Sequence, residues 1–331
     1  MPRTLLFDQP APASSGPLQV TERPLLSPGP HQLVVAVGAC GVCRTDLQLV
    51  EGDLPAHRRP VVPGHQVVGR VTAAGAEARH QVGDRVGITW LGGACGSCSY
   101  CRTDRENLCD QASFHGWDHD GGYADEMLVD DDFAVAITSD RPDAEIAPLL
   151  CAGVIGHRAL RATAIETGEH LGLYGFGSSA ALVLQLAIGR GLDVHVATRN
   201  QAEQQRAQHL GATSVSGYQD QPPVPLQAAI TFAPVGSVVI DALRAVDKGG
   251  RVIINAIHLD QIPAFDYDLL WHERSIASVA NVTRTDIAEL LAADAERPLQ
   301  IDHRIYPLVD ANHALADLAR GATGGPAVLV P

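Results

Sequence analysis

The chain has no cluster of basic residues and no long apolar segment. Its formal net charge is −14 over 331 residues, which disfavours nucleic acids and anionic membranes as partners because both repel an acidic protein. No stretch reaches the roughly 18 consecutive apolar residues that a membrane-spanning helix needs. The N-terminal MPRTLLFDQPAPASSG also lacks the apolar segment of a signal peptide. We therefore expect a cytoplasmic protein that binds neither nucleic acid nor a membrane.

The composition indicates a globular chain rich in loops. Charged residues make up 19% of it, and there are 32 glycines and 21 prolines. The length suits two domains, since single cores stop growing at about 250–300 residues. Thiols stay reduced in the cytoplasm, so we interpret the seven cysteines as metal ligands, catalytic groups or buried apolar side chains before disulfides.

Four of the cysteines lie close together in CGSCSYCRTDRENLC, as Cys95, Cys98, Cys101 and Cys109. Four thiolates at this spacing satisfy a tetrahedral zinc ion completely, which is typical of a structural site. A bacterial iron–sulfur motif has its fourth cysteine after three residues and then proline, whereas seven residues intervene here. Four unliganded thiols in a polar loop would be open to oxidation. We expect a structural zinc site.

A second group of possible ligands is spread over three segments. CGVCRTD contributes Cys40 and Cys43, VVPGHQVVGRV contributes His65 after a Pro-Gly turn, and PLLCAGVIGHRAL contributes Cys151 before an apolar segment. Cys43, His65 and Cys151 together would form a three-ligand zinc site with an open fourth position. Taken singly, each is more typical of a core residue, and a CxxC pair also serves disulfide exchange.

The stretch HLGLYGFGSSAALVLQLAIGRG, residues 170–191, has the pattern of a nucleotide-binding unit. It predicts an apolar strand, a glycine-rich turn and an apolar helix. Gly175, Gly177 and Ala180 match G-x-G-x-x-G/A, in which the first glycine makes a tight turn and the second lets a pyrophosphate approach the backbone. Ala180 keeps helix and strand close, and the helix N-terminus favours the phosphate charge.

A regular alternation of strands and helices follows this motif. Strands are predicted at 193–198, 228–232 and 251–257, and helices at 201–212 and 237–250. A further helix is predicted at 310–321, in the C-terminal flank. The alternation indicates an α/β fold with a doubly wound nucleotide-binding domain over 149–285. We expect the flanks, 1–148 and 286–331, to fold together as a β-rich catalytic domain into which that domain is inserted.

In combination, these motifs resemble the zinc-dependent alcohol dehydrogenases of the medium-chain dehydrogenase/reductase family. CGVCRTD, PGHQVVG, the four-cysteine loop, DGGYAD, PLLCAG and GFGSSA occur in the order and spacing of that family over nearly the whole chain. FAPVG and SVANVTR make the chain most similar to bacterial members related to cinnamyl alcohol dehydrogenases. The resemblance implies a Rossmann domain inserted into a GroES-like domain, and interconversion of alcohols with aldehydes or ketones by hydride transfer with NAD(P)(H).

The resemblance also implies a catalytic zinc held by Cys43, His65 and Cys151, with Cys40 as their non-ligating companion. The ion would bind the alcohol or aldehyde oxygen at its open position. Thr45 would hydrogen-bond that oxygen and pass its proton on, although a capping role is the alternative. With the four-cysteine loop, two zinc ions per chain are expected.

Four further residues match positions with roles in the family. Asp46 would accept the N–H of the zinc-bound histidine and fix its tautomer. Arg44 would reach the cofactor pyrophosphate, unless it is a surface charge. Trp90 and Trp117 occupy places where relatives have aromatic side chains of the substrate pocket, or are ordinary core residues.

Three positions depart from the family pattern. Gln66 replaces a glutamate after the zinc histidine, which removes a negative charge from behind the metal. Gln48 replaces the histidine that ends the proton relay in many relatives, so the proton must leave by water or by another group. Pro326 occupies the place of a pyrophosphate-binding arginine.

The end of the second strand of the nucleotide domain bears on coenzyme choice. NAD enzymes commonly have an acidic residue there for the ribose 2′-hydroxyl, but this chain has Thr198, Arg199 and Asn200. Arg199 would pair with a 2′-phosphate, so we expect NADP to be favoured over NAD. The alternative is that Arg199 faces solvent and both coenzymes are accepted.

Two other functions are compatible with parts of the pattern. A zinc hydrolase would use the same ligands but would not need GFGSSA between a strand and a helix. A non-catalytic NADPH-binding sensor on the same fold is disfavoured by the intact ligand set and Thr45. We expect a small-molecule alcohol or aldehyde substrate, and a homodimer or homotetramer because family members often pair through the last strands of the nucleotide domain.

Overall fold

The computed structural model of the chain describes residues 1–257 and 259–331. The contacts between residues group the chain into two compact units. The first comprises Met1–Cys151, Asn281–Leu291 and Ile301–Pro331, and the second comprises Ala152–Ala280 and Ala292–Gln300. No helix among the described residues is long and apolar enough to cross a membrane.

Strands and helices are numbered in chain order. The strands are β1 Arg3–Leu6, β2 Gln19–Glu22, β3 Gln32–Val42, β4 Val67–Ala74, β5 Arg85–Ile88, β6 Leu91–Gly93, β7 Ser113–Phe114, β8 Glu126–Asp130, β9 Ala134–Ala136, β10 His170–Tyr174, β11 Asp193–Ala197, β12 Ser214–Ser216, β13 Leu226–Thr231, β14 Val246–Ile254, β15 Ser275–Ser278, β16 Arg304–Pro307 and β17 Ala327–Val330. The α-helices are α1 Arg44–Glu51, α2 Asp143–Ile146, α3 Ala152–Ala162, α4 Ser178–Gly189, α5 Gln201–His209, α6 Gly236–Ala245, α7 Arg284–Glu296 and α8 Ala311–Ala319.

The first unit is built on a seven-stranded sheet in the order β16-β17-β3-β4-β5-β9, with β8 also paired to β3. The long strand β3 is its centre, because it pairs antiparallel with β4, β8 and β17. Its sequence QLVVAVGACGV is rich in residues that favour strands, and Leu33, Val35 and Cys40 are fully buried in the core of this unit. The β-rich domain expected from the sequence is confirmed.

The second unit is a six-stranded parallel sheet in the order β12-β11-β10-β13-β14-β15. Counted from β10, this is the 3-2-1-4-5-6 order of a doubly wound dinucleotide-binding fold. The strands β10 and β13 are buried at all but one position each, as expected for strands of a parallel sheet that is covered on both faces. The Rossmann domain predicted from the glycine-rich turn is confirmed.

One predicted helix was too long. The sequence suggested a helix over 237–250 followed by a strand at 251, but α6 ends at Ala245 and β14 begins at Val246. Gly249 has a φ of +73°, which a right-handed helix does not allow and glycine adopts at little cost. A register shift between the pairs formed by Leu226 and Ala228 accommodates the extra residues on β14.

Candidate active site

The turn that carries Cys43 is fixed by a helix cap. Cys43 is the N-cap of α1 with an extended backbone (φ −130°, ψ 172°). Its Sγ accepts a hydrogen bond from the backbone N–H of Thr45 at 3.2 Å, and its own N–H donates to Asp46 Oδ2 at 2.9 Å. These reciprocal bonds form a capping box, so the sulfur has a defined position relative to the first turn of α1.

Asp46 connects this turn to His65. Its Oδ1 accepts from the Gly64 N–H at 3.2 Å and lies 3.1 Å from His65 Nδ1. Gly64 has a φ of +102°, and a Cβ there would lie 2.6 Å from a ring carbon of Tyr123, so glycine is required. In the neutral ring Nδ1 donates to the carboxylate and Nε2 carries the lone pair, whereas the protonated ring has an N–H at both nitrogens. Nε2 lies 3.4 Å from Cys43 Sγ.

Cys151 completes the group. It follows the 3-10 helix Ala147–Leu150 and precedes α3. One donor atom from each of Cys43, His65 and Cys151 lies within 4.8 Å of the other two. The structure therefore brings together three side chains from segments spread over more than a hundred residues of the sequence.

The protonation of these groups is coupled. A hydrogen bond from the Cys151 thiol, helped by the charge of His65, holds the pKa of Cys43 well below its ordinary value. The same hydrogen bond, together with burial, raises the pKa of Cys151. Burial opposes the charged form of His65, but Asp46 and Cys43 outweigh it and raise the pKa of His65. The pocket thus stabilises a thiolate beside a cationic group.

This donor set fits a zinc ion. Metal ligands must be deprotonated, and the surroundings already favour the Cys43 thiolate. Two sulfur donors and one imidazole with a fourth position open are a catalytic zinc set. Thr45, two residues after Cys43, is 7% exposed, whereas Arg44 is exposed.

Two residues behind this donor set are fully enclosed. Cys40 is 0% exposed, and its Sγ points to the Gly41 carbonyl at 3.6 Å, so it is not one of the three donors. Gln66 is 3% exposed, and its Nε2 has no hydrogen-bond partner in the part of the chain that the structure describes. Gln48 lies within α1, where its carbonyl accepts from Gly52 and Leu54.

The four-cysteine loop also brings its sulfurs together. Donor atoms of Cys95, Cys98, Cys101 and Cys109 all lie within 4.8 Å of one another. The Sγ atoms of Cys98 and Cys101 are 3.5 Å apart, and those of Cys95 and Cys101 are 3.9 Å apart. A tetrahedral zinc with bonds of about 2.3 Å requires sulfurs about 3.8 Å apart. This cluster can bind zinc.

Backbone N–H groups point at the sulfurs of this loop. Cys98 donates to Cys95 Sγ at 3.3 Å and Cys95 donates to Cys109 Sγ at 3.4 Å. Backbone hydrogen bonds from Ser97 and Cys98 lower the pKa of Cys95 to about 6, whereas burial and the neighbouring thiol of Cys98 raise the pKa of Cys101 to about 12. The loop therefore favours the thiolate at Cys95 and the neutral thiol at Cys101.

The predicted aromatic residues meet in one cluster. The rings of Trp90 and Trp117 are stacked with centroids 5.8 Å apart, and Trp90 lies 6.0 Å from the ring of His65. Phe114 contacts both tryptophans, at 4.7 and 5.7 Å. His57 stacks on the outer side of the cluster, 4.0 Å from Trp117.

Sequence reasoning missed His57 and Phe114. His57 Nδ1 lies 2.6 Å from Asp118 Oδ1, and the Phe114 N–H donates to Asp118 Oδ2 at 2.8 Å. Asp118 thus ties two segments of the chain to the same cluster. The closeness of Phe114 to Trp117 in the sequence was the one indication that Phe114 belongs to the aromatic cluster. Nothing in the sequence near His57 indicated that its ring would stack on Trp117.

The glycine-rich turn of the second unit has the geometry that phosphate binding needs. Gly175 has a φ of +92°, and a Cβ there would lie 2.9 Å from the backbone nitrogen of Ala233. Gly177 is the N-cap of α4, and a Cβ there would have no described atom within 4 Å. Ala180 is fully buried. The backbone at Gly177 is therefore open to a ligand at the start of a helix.

The residues after β11 differ in their surroundings. Thr198 is buried, and its hydroxyl donates to the carboxylate of Glu203. Asn200 caps α5 through its Oδ1, which accepts from the N–H groups of Ala202 and Glu203 at 2.9 and 3.3 Å. The guanidinium of Arg199 lies over the ring of Tyr218, 5.6 Å from its centroid.

Arg199 and Tyr218 line a cavity of about 390 Å³ in this unit, together with Asp220 and Asp241. Although the strand end itself has no acidic residue, the first turn of α5 brings the carboxylate of Glu203 back to Thr198. The signal was the Asn200-x-x-Glu203 spacing of an N-cap followed by an acidic third residue.

A dinucleotide-type turn in one unit and a three-donor metal set in the other are the parts of a metal-dependent dehydrogenase. Residues 29–139 match the alcohol dehydrogenase GroES-like domain. A probable alcohol dehydrogenase of Mycobacterium tuberculosis, AdhA, is 48% identical over 329 residues, covering 97% of this chain and 95% of the relative.

Two solved structures have the same fold. A cinnamyl alcohol dehydrogenase from Sorghum bicolor aligns with a TM-score of 0.89 at 24% identity, covering 100% of this chain and 98% of that one. A structure described as a zinc-binding dehydrogenase from Sinorhizobium meliloti, bound to NADP, aligns with a TM-score of 0.87 at 26% identity, covering 100% and 99%.

The protein belongs to the alcohol dehydrogenase family, and the resemblance to its zinc-dependent medium-chain members is confirmed. It is an oxidoreductase that interconverts alcohols and carbonyl compounds by hydride transfer with a nicotinamide coenzyme, and its substrate is a small-molecule alcohol. The alternative of a non-catalytic nucleotide sensor is not favoured.

Proposed function

We propose that the enzyme holds two zinc ions per chain with separate roles. Cys43, His65 and Cys151 bind the catalytic ion, and the four cysteines between Cys95 and Cys109 bind the structural one. The observation that carries this proposal is the convergence of each donor set within 4.8 Å. One set has three donors and leaves a position for substrate, and the other has four and leaves none.

The residues around the three-donor set prepare the reaction. Zinc bound there supplies a Lewis acid for the substrate oxygen, and the nicotinamide supplies or accepts the hydride. Asp46 holds His65 by its Nδ1, so that Nε2 faces the metal position. Thr45 transfers the proton of the reacting hydroxyl. Since Gln48 cannot relay that proton, it leaves to water or another group.

NADP(H) is proposed as the favoured coenzyme. Gly175, Gly177 and Ala180 form the pyrophosphate-binding turn, and the exposed Arg44 contacts the pyrophosphate as well. Arg199 lies beside the cavity at the end of β11 and pairs with the 2′-phosphate, while Thr198 and Asn200 shape that strand end. The NADP-bound structure from Sinorhizobium meliloti supports this choice. Glu203 and Asp220 oppose it, so the preference is moderate.

The aromatic cluster is proposed to wall the substrate pocket. Trp90 lies 6.0 Å from the ring of His65 and Trp117 stacks on Trp90, and an alcohol or aldehyde with an apolar body would pack against these rings. Phe114 and His57 hold these rings from behind. Gln66, uncharged, leaves the metal position more electropositive than a glutamate would.

The oligomeric state, the cellular location and the domain boundaries are proposed as follows. We infer a homodimer or homotetramer, since β15 is the last strand in its sheet and its outer edge can pair with a second copy. Seven free cysteines support a reducing, cytoplasmic location with no membrane or nucleic-acid partner. We propose 1–148 with 286–331 as the catalytic domain and 149–285 as the nucleotide domain; limited proteolysis would test these limits.

The decisive experiment combines metal analysis with activity. Purified, fully loaded enzyme is expected to contain two zinc ions per chain and to oxidise NADPH with a panel of aldehydes. Removing the more weakly held ion with a chelator should abolish turnover without unfolding the protein. One zinc or none in loaded enzyme would contradict the proposal of two zinc sites. Absence of turnover across the aldehyde panel would contradict the proposed dehydrogenase activity.

A further inference from the structure

Two imidazoles lie side by side on the neighbouring strands β10 and β11, towards the amino-terminal side of the sheet. His170 opens β10, and His195 lies in the middle of β11. His170 Nδ1 and His195 Nε2 are 3.1 Å apart, and the two rings are inclined by 45°. In the parallel register His170 pairs with Asp193 and Gly172 pairs with His195. The ring of His170 reaches diagonally to His195, which lies two positions further along the register.

Ser214, which contacts the ring nitrogen of His195 that does not face His170, determines the tautomer of His195. His195 Nδ1 lies 2.8 Å from Ser214 Oγ on β12, and we assign the ring proton to this bond. Nε2 then carries a lone pair that faces His170. His195 is 5% exposed, and burial, with the neighbouring His170, lowers its pKa. The ring is therefore held in a neutral, correctly oriented form at physiological pH.

A carboxylate stands beside the two rings. Asp193 Oδ2 lies 3.8 Å from His170 Nδ1, and the Asp193 side chain is 53% exposed. The hydroxyl of Thr213 donates to its other oxygen at 3.3 Å. The Asp193 oxygens do not lie within 4.8 Å of both imidazole nitrogens, so the exposed Asp193 side chain would turn towards the pair to bind an ion held there.

We propose that His170, His195 and Asp193 form a binding site for a divalent transition-metal ion of the zinc, nickel and copper group. Imidazole nitrogens bound at about 2.0–2.1 Å in a tetrahedral site are about 3.3 Å apart, close to the 3.1 Å observed. Imidazole with one carboxylate suits these metals. Ser214 fixes the buried ligand as an outer hydrogen-bond partner does in metal sites.

This site is separate from the functional sites described above. It contains no cysteine, and it lies at the amino ends of the strands, whereas the glycine-rich turn follows the carboxyl end of β10 at Gly175. Binding there would cross-link β10 and β11. The proposal is therefore independent of the assignment of the two zinc sites and of the coenzyme.

Calorimetric titration of the zinc-loaded, extensively dialysed enzyme with NiCl₂ tests the site, with released zinc measured to exclude exchange at the cysteine sites. We expect one additional equivalent of Ni²⁺. Ser214→Ala should weaken its affinity about 10–100-fold, and His170→Gln should weaken it at least as much. His209→Gln, on the exposed face of α5, is the matched control and should leave it unchanged.

Electron paramagnetic resonance of added Cu²⁺ gives a second readout, because two coordinated imidazole nitrogens produce a characteristic hyperfine pattern that His170→Gln should remove. No additional equivalent would overturn the proposal. An additional equivalent unchanged by His170→Gln would place the ion elsewhere and overturn it too. If His170→Gln lowers thermal stability while Ni²⁺ stabilises neither protein, the two rings form only a hydrogen-bonded pair and the proposal is wrong.

Discussion

The carboxylate of Asp46 and the imidazole of His65 lie 3.1 Å apart, and each residue is only 2% exposed. The same carboxylate accepts the backbone N–H groups of Cys43 and Gly64. One side chain therefore fixes both the sulfur-bearing turn and the orientation of the histidine. This relationship makes Asp46 the residue on which the geometry of the three-donor set depends.

Asp46→Asn should weaken zinc at the catalytic site by about 10–100-fold, the usual cost of losing an outer partner of a metal ligand. The amide cannot supply the negative charge that favours the Nδ1–H tautomer of His65. Competition with a chelator measures the affinity. Asp53→Asn, at an exposed position, is the control, and equal zinc affinity in both variants would remove Asp46 from this role.

Cys43→Ser and Cys98→Ser should have different consequences. Cys43→Ser should abolish turnover while the protein stays folded, because it removes a proposed ligand of the ion at which substrate would react. Cys98→Ser should chiefly lower the melting temperature, because a four-thiolate zinc contributes folding energy. Metal content, melting temperature and activity of both variants are compared. Two variants with the same profile would show that the two sites are not functionally separate.

Thr45→Ala should lower kcat by about 10²–10⁴-fold while zinc and coenzyme remain bound, since a positioned proton-transfer group contributes about that much. Thr45→Ser keeps the hydroxyl and is expected to recover most of the activity. The pH dependence of kcat/KM should also change in the alanine variant alone. Turnover near that of the wild type in Thr45→Ala would show that the proton leaves by another route.

Coenzyme preference should respond to charges at the end of β11. Arg199→Ala should reduce kcat/KM for NADP(H) and leave NAD(H) nearly unchanged, since a charge-assisted hydrogen bond is worth about 1.5–3 kcal/mol. Thr198→Asp should shift preference towards NAD because it repels a 2′-phosphate. Glu203→Gln should shift it towards NADP, because it removes the carboxylate bonded to Thr198.

Gln201→Ala, exposed at the start of α5, is the control for these changes. Values of kcat/KM with both coenzymes are measured for each variant. A wild-type enzyme that already prefers NAD, with Arg199→Ala neutral towards NADP, would contradict the proposed preference.

Acid should weaken the first unit through Asp131. This side chain is 5% exposed and accepts hydrogen bonds from Arg79 and His80 at 2.7 to 3.1 Å. Burial opposes its charge, but these bonds outweigh burial and hold the pKa of Asp131 well below its ordinary value. Its contribution to stability is therefore complete above the unfolded pKa of about 3.9 and is lost as the pH falls below that value.

Urea unfolding at pH 7 and at about pH 3 measures this effect. Asp131→Asn should destabilise the enzyme at pH 7, and the difference from wild type should shrink at the lower pH. Asp132→Asn, on the same turn but 61% exposed, should be nearly neutral. A difference in unfolding free energy between wild type and Asp131→Asn that does not change with pH would mean that Asp131 stabilises the fold by packing and not by its charge.

The sequence by itself determined the two domains' fold types and the chemistry of the donor sets. The spacing of Gly175 and Gly177 is typical of a tight turn that lets a phosphate approach the backbone, and the residue pattern around it predicts strands and helices. The four clustered cysteines identify a metal loop because ligand spacing within one loop is local. These inferences rest on short-range rules, which hold wherever the segment lies in the fold.

Only the tertiary structure decided which distant residues meet. The convergence of Cys43, His65 and Cys151 and the stacking of His57 on Trp117 both depend on the packing of separate segments. The early end of α6 at Ala245 depends on pairing between β13 and β14. Strand pairing joins segments that are far apart in the sequence, so a local residue pattern does not specify which strands pair. The position of a side chain in space then follows from the sheet that carries it.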